Sequence, residues 1–395
     1  MSALEIRTSA TLASIFGLRM LGLFLILPVF AVHAHSLPGG DNAIWVGIAL
    51  GIYGLTQGIL QIPFGIASDR FGRKPVIVFG LILFALGSLI AALAQDIGWT
   101  IAGRAIQGTG AISAAVTAFI ADATREEHRT KAMAMVGSTI GLSFAFSMIA
   151  GPLLYQRIGM SGLFWMICIL SLLAILVILY LVPPAPQVPV PDSSLKPRAV
   201  IFNPELLRLN FGIFTLHLVL MAMFVVIPVL LKETGLAVPE HWKVYLPAVL
   251  ISFILMLPPI FFAERHHKMK TVFIGAIALL ALVLAGLLVL PPALTTLAAL
   301  LLVFFVSFNI LEASLPSMVS RVAPASAKGL ALGVYNTTQA LGLSAGGVLG
   351  GALKQYFGTG AVFGFCLAMT LAWGIIALGM RELPKRGQSK VSVAA

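Results

Sequence analysis

The sequence predicts an all-α polytopic membrane protein, with 12 transmembrane helices in two pseudo-symmetric six-helix bundles. Three observations carry that reading. Of the 395 residues, 59% are hydrophobic and only 10% charged, with a mean hydropathy of +1.03, whereas about a quarter of the residues in a soluble domain are charged. The apolar residues gather into runs of about 20, the length a helix needs to cross a bilayer. An acid–base pattern in one loop recurs 195 residues further on.

The first span covers residues 10 to 33 and the second 43 to 66, followed by 75 to 95, 98 to 122, 131 to 153 and 161 to 182. After an interruption the series resumes at 208 to 231, 243 to 263, 271 to 291, 294 to 319, 329 to 352 and 360 to 380. Their continuity favours helices, because strands of a membrane barrel are about 10 residues long and alternate strictly. Arg19 in the middle of the first run, and the spans that follow, argue for a retained helix over a cleaved signal peptide.

A net charge of +11 would suit nucleic acid if it formed one patch, but its distribution is topological. With the N-terminus inside, 19 of the 25 Lys and Arg fall in cytoplasmic segments, four in external ones and two within spans. That bias predicts both termini in the cytoplasm, with the lipid bilayer and no nucleic acid as partner. Trp45, Trp99, Trp165 and Trp242 fall near the expected external ends, where an aromatic belt would hold them. Cys168 and Cys366 lie inside apolar runs and give no sign of a disulfide or metal site.

The N-terminal bundle is expected over residues 1–182 and the C-terminal bundle over 208–381, with a cytoplasmic linker at 183–207 and a cytoplasmic tail at 382–395. Five prolines between Pro183 and Pro191 favour an extended connector, with a short interfacial helix near Asn203 to Leu207. Asp69, Arg70 and Arg73 after the second span have counterparts in Glu264, Arg265 and Lys268 after the eighth, and His267 stands in the place of Gly72. Duplicated six-helix halves are one architecture of secondary transporters. Glycine marks close helix packing: Gly137 with Gly141, Gly151 with Pro152 at the end of the fifth span, and the overlapping pairs Gly346, Gly350 and Gly347, Gly351 in the eleventh.

Three charged residues fall well inside spans: Arg19, Arg104 and Glu312. Each costs roughly 2.5 to 3.5 kcal/mol on insertion scales, so they should face a wet cavity or one another. Gln57 and Gln61 are four apart, while Arg104 with Gln107, Asn309 with Glu312 and Asn336 with Gln339 are three apart, so each pair shares a helix face. These faces suit a central cavity that takes a small-molecule substrate. Glu312, the lone acid in mid-span, is the candidate proton carrier, with Arg104 and His217 as further coupling groups. Its alternative role is a permanent salt bridge to Arg19 or Arg104.

The stretch from Gly65 to Pro75, GIASDRFGRKP, joins the second and third spans. Gly65 permits a close crossing, Gly72 a tight turn, Asp69 can face the positive end of a nearby helix, and Arg70, Arg73 and Lys74 anchor the loop inside. This stretch resembles the signature loop of the major facilitator superfamily of secondary transporters. RAIQGTGA, from Arg104, is similar to the family's fourth-helix motif, whose arginine is implicated in proton coupling. LGLFLILPVF, with Pro28, resembles a segment of twelve-helix drug exporters. Gly151 and Pro152 resemble part of the antiporter motif, in which the next glycine pair is here replaced by Leu154 and Tyr155.

The resemblance implies the major facilitator fold in a bacterial inner membrane, and a proton-coupled exporter of small amphiphilic molecules working by rocker-switch alternating access. It also implies that Asp69 sits against the start of the eleventh helix and that Arg73 reaches Asp122, latching the outward-open state. Some similar transporters carry a soluble domain after the last helix; here 14 residues follow, and regulation by such a domain is not expected. A proton-independent facilitator or importer, or a transporter-like sensor, are the alternatives. The sequence offers no phosphate-binding glycine loop, metal-ligand cluster or nucleophile with a nearby base, so neither an enzyme nor a cofactor is expected. One chain supplies both halves, which suits a monomer.

Overall fold

The computed structural model describes residues 1–125, 128–183, 197–324 and 328–381, and among them every regular element is helical. Ser2 starts α1 (Ala3–Phe24) with a capping box, its hydroxyl accepting from the Glu5 amide while its own amide donates to the Glu5 carboxylate at 2.6 Å. The first span then breaks before Pro28, and α2 (Leu27–Ala34) completes it. Asn42 caps α3 (Ala43–Phe71), which ends at Gly72 with φ 94°, a left-handed conformation that favours glycine. Next come α4 (Arg73–Leu93), α5 (Ile97–Thr109), capped by Asp96, and α6 (Ser113–Asp122). The break between α5 and α6 falls at Gly110, where the chain presses against the Gly80 backbone.

The longest helix, α7 (Arg129–Tyr180), runs straight through Pro152 and turns only at Gly159, with φ 66°. The fifth span therefore does not stop at Pro152 as the sequence suggested. A short α8 (Pro197–Ile201) precedes α9 (Pro204–Glu233). Asn203 is the cap of α9, so the helical piece of the linker lies earlier than expected; residues 184–196 and the tail after 381 lie outside the described residues. The second half continues with α10 (Trp242–Leu255), α11 (Leu257–Arg265), α12 (Met269–Val289), α13 (Leu294–Val322), α14 (Lys328–Phe357) and α15 (Thr359–Leu378).

Among the described residues, nine stretches are long and apolar enough to cross a membrane, against the 12 expected. The difference has local causes. Two expected spans merge in α7, the fourth is split between α5 and α6, and the glycines and polar residues of α14 lower its hydropathy. Trp45, Trp99 and Trp165 are exposed, as aromatic anchors at a lipid interface would be.

The repeat is visible in three dimensions. His267, the counterpart of Gly72, keeps the left-handed backbone at φ 57° although it carries a side chain. Lys74 donates to the carbonyl of Val182 at the end of the first half, and Lys270 to that of Met380 at the end of the second, each a cation at a helix C-terminus. Arg73 binds Asp122 in the first half; in the second, Arg321 lies 3.9 Å from Glu264, so the acid and base have exchanged places.

The two halves meet at one end of the bundle. There α3 lies along α14 with glycine against backbone: a Cβ on Gly47 would strike the Gly347 carbonyl, one on Gly347 the Gly47 carbonyl, and one on Gly351 the Ala43 carbonyl. Gln355 accepts from the Ala43 amide at 2.9 Å across the same seam. The partner glycines Gly346 and Gly350 point the other way, onto Leu218 and Ala222 of α9, so the two overlapping pairs serve two neighbours. Gly151 rests on the carbonyl of Leu25, 2.7 Å from where its Cβ would be.

At the opposite end, which carries the loop at Asp69, no such glycine seam is found among the described residues. Gly137 and Gly141 of α7 and Gly329 and Gly333 of α14 have open space where a Cβ would project. The close packing expected at Gly137 and Gly141 is not seen among the described residues. The core follows the same division. One apolar cluster runs from the closed end of the first half through the whole second half, while a separate one, including Leu12, Phe64, Ile77 and Ile178, holds the open end of the first half together.

Candidate functional site

The interior polar residues form two clusters, one in each half. In the first, α1 carries Arg19, α3 carries Tyr53, Gln57 and Gln61, and α5 carries Arg104 and Gln107. Arg19 and Arg104 are wholly buried, and their guanidinium carbons lie 5.6 and 4.8 Å from the centroid of the Tyr53 ring. Arg104 donates to Gln107 Oε1 at 2.8 Å, and Gln107 donates on to Ser88 at 2.7 Å. The i, i+3 pairing read from the sequence is thus one link of a longer chain. Arg19 donates to the Ser113 hydroxyl at 2.6 Å, at the first residue of α6. Gln57 Oε1 and both polar atoms of the Gln61 side chain are buried without a partner among the described residues.

The second cluster joins three helices. His217 of α9 uses Nδ1 on the Ile213 carbonyl at 3.3 Å, so its Nε2 is free to accept from the Gln339 amide at 2.7 Å. Gln339 also reaches Glu312 Oε1 at 3.4 Å, and Glu312 Oε2 lies 3.8 Å from His217 Nε2. The Glu312 side chain is 28% exposed, against 4% for His217. Neither Arg19 nor Arg104 contacts Glu312, so the salt bridge weighed as its alternative role does not exist in this conformation. Asn309 turns away from Glu312 and donates to Ser252 of α10 at 2.9 Å, while Asn336 is partly exposed on α14. Phe144 of α7 stacks on Phe308, which in turn meets the His217 ring, so an aromatic contact between the halves abuts this cluster.

In the loop, Arg73 donates to Asp122 Oδ2 and Ser68 Oγ, both at 2.8 Å, and also to Asp69. Arg70 lies over the Phe71 ring. Asp69 is 58% exposed, and none of its described partners belongs to α14; residues 325–327, just before that helix, lie outside the described residues. Among the described residues Asp69 makes no contact with α14. A Cβ added to Gly65 would lie 3.5 Å from that of Ala114, an ordinary contact, so packing here does not demand a glycine.

Sequence reasoning missed Tyr53, which links the two arginines. Its signal was present: Tyr53, Gln57 and Gln61 are spaced by four and share one face of α3.

The sequence profile of the Major Facilitator Superfamily matches residues 9–347 and 270–394. The chain belongs to that superfamily. Its sequence is 44% identical to the inner membrane transport protein YajR of Escherichia coli, over 99% of this chain and 87% of that one. It is 27% identical to the multidrug resistance protein MdtH of Aeromonas hydrophila, over 85% of each chain. Among solved structures, the human organic anion transporter MFSD10 superposes with a TM-score of 0.71 at 17% identity, covering 95% of this chain and all of that one, which shows the shared fold. The protein is accordingly a multi-pass membrane transporter and not an enzyme.

Proposed function

We propose that this major facilitator is a proton-coupled exporter of small amphiphilic molecules in a bacterial inner membrane, alternating access by rocking one half against the other. One observation carries the reading. Glu312 is a carboxyl in mid-membrane whose described partners are a neutral amide and a histidine, with no arginine or lysine to hold it as an anion. A carboxylate withdrawn from water is costly unless paired, so a proton is the natural partner in this state. Partial exposure of Glu312 gives that proton a route out.

With the Lys- and Arg-rich end in the cytoplasm, the conformation is inward-facing: the glycine seam of α3 and α14 closes the outside, and the loop end is parted. Among the described residues Asp69 has no partner in α14, which fits the same state, since its latch would belong to the outward-open form. The relative named as a multidrug resistance protein supports export.

The test is proton flux in vesicles of reconstituted protein loaded with a pH dye, challenged with neutral, anionic and cationic amphiphiles. Substrate should trigger proton movement in the wild type, and Glu312→Gln should abolish it while substrate still binds. Substrate movement without protons, unchanged by Glu312→Gln, would overturn the coupling and leave a facilitator.

A further inference from the structure

Arg19 and Arg104 are two buried cations with no counter-ion among the described residues. Each described acid of the first half is engaged elsewhere: Glu5 pairs with Arg125, Asp69 and Asp122 with Arg73, Asp96 caps α5, and Asp41 meets His35. Three guanidinium N–H sites, Arg19 Nε and Nη2 and Arg104 Nη2, are buried with no protein partner among the described residues, and so is the Tyr53 hydroxyl.

The local backbone adds to the imbalance. Arg19 is docked by Ser113 at the first turn of α6, whose leading amides have no intrahelical acceptor and carry the positive end of the helix dipole. The break before α6 spends the amides of Gly110, Ala111 and Ile112 on carbonyls of Gln107, Thr109 and Gly110. A cation held at a positive helix end, inside a membrane and beside a second cation, lacks one thing only, which is negative charge.

We infer that Arg19, Arg104 and Tyr53 form a binding site for a monovalent anionic group, such as a carboxylate. That group is either the head of the transported amphiphile or a small inorganic anion carried with it. The inference rests on the transport reading only in naming the substrate; the site itself is a binding property. The Tyr53 ring suits an amphiphile because it offers an apolar face beside the two charged groups. Glu312 stands in the other half, beside His217 and within 3.4 Å of the Gln339 amide, so it does not compete for the arginines in this state.

The experiment follows the thermal midpoint of the detergent-purified chain at fixed ionic strength while hexanoate, hexanamide, hexylammonium or chloride is titrated. A ligand of the native state raises the midpoint saturably. Hexanoate should do so, hexanamide and hexylammonium should not, and Arg19→Gln should weaken the hexanoate effect at least tenfold. Should that variant fail to fold, Tyr53→Phe keeps the ring and removes the hydroxyl, and a several-fold loss is expected there. Saturation by chloride that blocks hexanoate would assign the site to an inorganic anion. Equal effects of hexanoate and hexanamide, or hexanoate binding unchanged in Arg19→Gln and Tyr53→Phe, would overturn the site. Binding without any transport of hexanoate would instead count against hexanoate as cargo and leave the site standing.

Discussion

Among the described residues, the first half buries two arginines in mid-span with no acid in contact, whereas the second holds a mid-span acid beside a histidine with no lysine or arginine in contact. The halves nevertheless share their scaffold, down to a lysine on the last carbonyl of each and a left-handed residue in each repeated loop. Duplication has kept what holds a bundle together and let the interior diverge. The lesson is that the functional asymmetry of this transporter lies in side chains that face inward, while the symmetry lies in helix ends and loops.

The largest expected effect falls where the halves touch. Gly347→Leu would drive a side chain into the Gly47 backbone, which cannot step aside as a flexible side chain could. The closed end should fail to form, seen as a near-complete gain of thiol labelling for a cysteine placed at that end. Labelling as low as in the wild type would show that the seam is not a tight closure.

A smaller effect separates the loops. Arg73→Ala strips Asp122, a half-buried acid, of a 2.8 Å charged hydrogen bond and should lower stability by about 1–3 kcal/mol. Arg321→Ala removes a 3.9 Å pairing to an exposed acid and should lower it by less than about 1 kcal/mol. Unfolding in mixed micelles measures both, and equal losses would mean that the second loop is no weaker than the first.

The smallest effect tests the shared scaffold. Lys74→Met and Lys270→Met each delete a cation at a helix C-terminus, expected to cost about 0.3–1 kcal/mol. Matching values in the same unfolding assay would support equivalence of the two ends; a clear difference would break it.

Much of this was legible in the sequence. The apolar runs, the recurrence of Asp69, Arg70 and Arg73 as Glu264, Arg265 and Lys268, and the shared face of Arg104 and Gln107 are all local or periodic signals. What was not legible depends on how helices turn toward one another. Whether Glu312 meets Arg104 or His217 is decided by packing among α9, α13 and α14, and no spacing along the chain encodes it. The glycines of α7 show a second limit. Gly137 and Gly141 read as packing residues, but whether a neighbour lies against them depends on how the helices are arranged, which spacing along the chain does not encode.

The meeting of α3 and α14 has a thermodynamic consequence. Ordering one long side chain costs up to about 2 kcal/mol of rotamer entropy, and a seam built of Gly47, Gly51, Gly347 and Gly351 has no rotamers to freeze or release. If the halves rock, opening it would exchange mainly dispersion and weak Cα–H contacts, with the Gln355 hydrogen bond to Ala43 as a side-chain contact to be broken. A joint of that kind would return to the same register each time it shut, at a speed that depends little on the molecule carried.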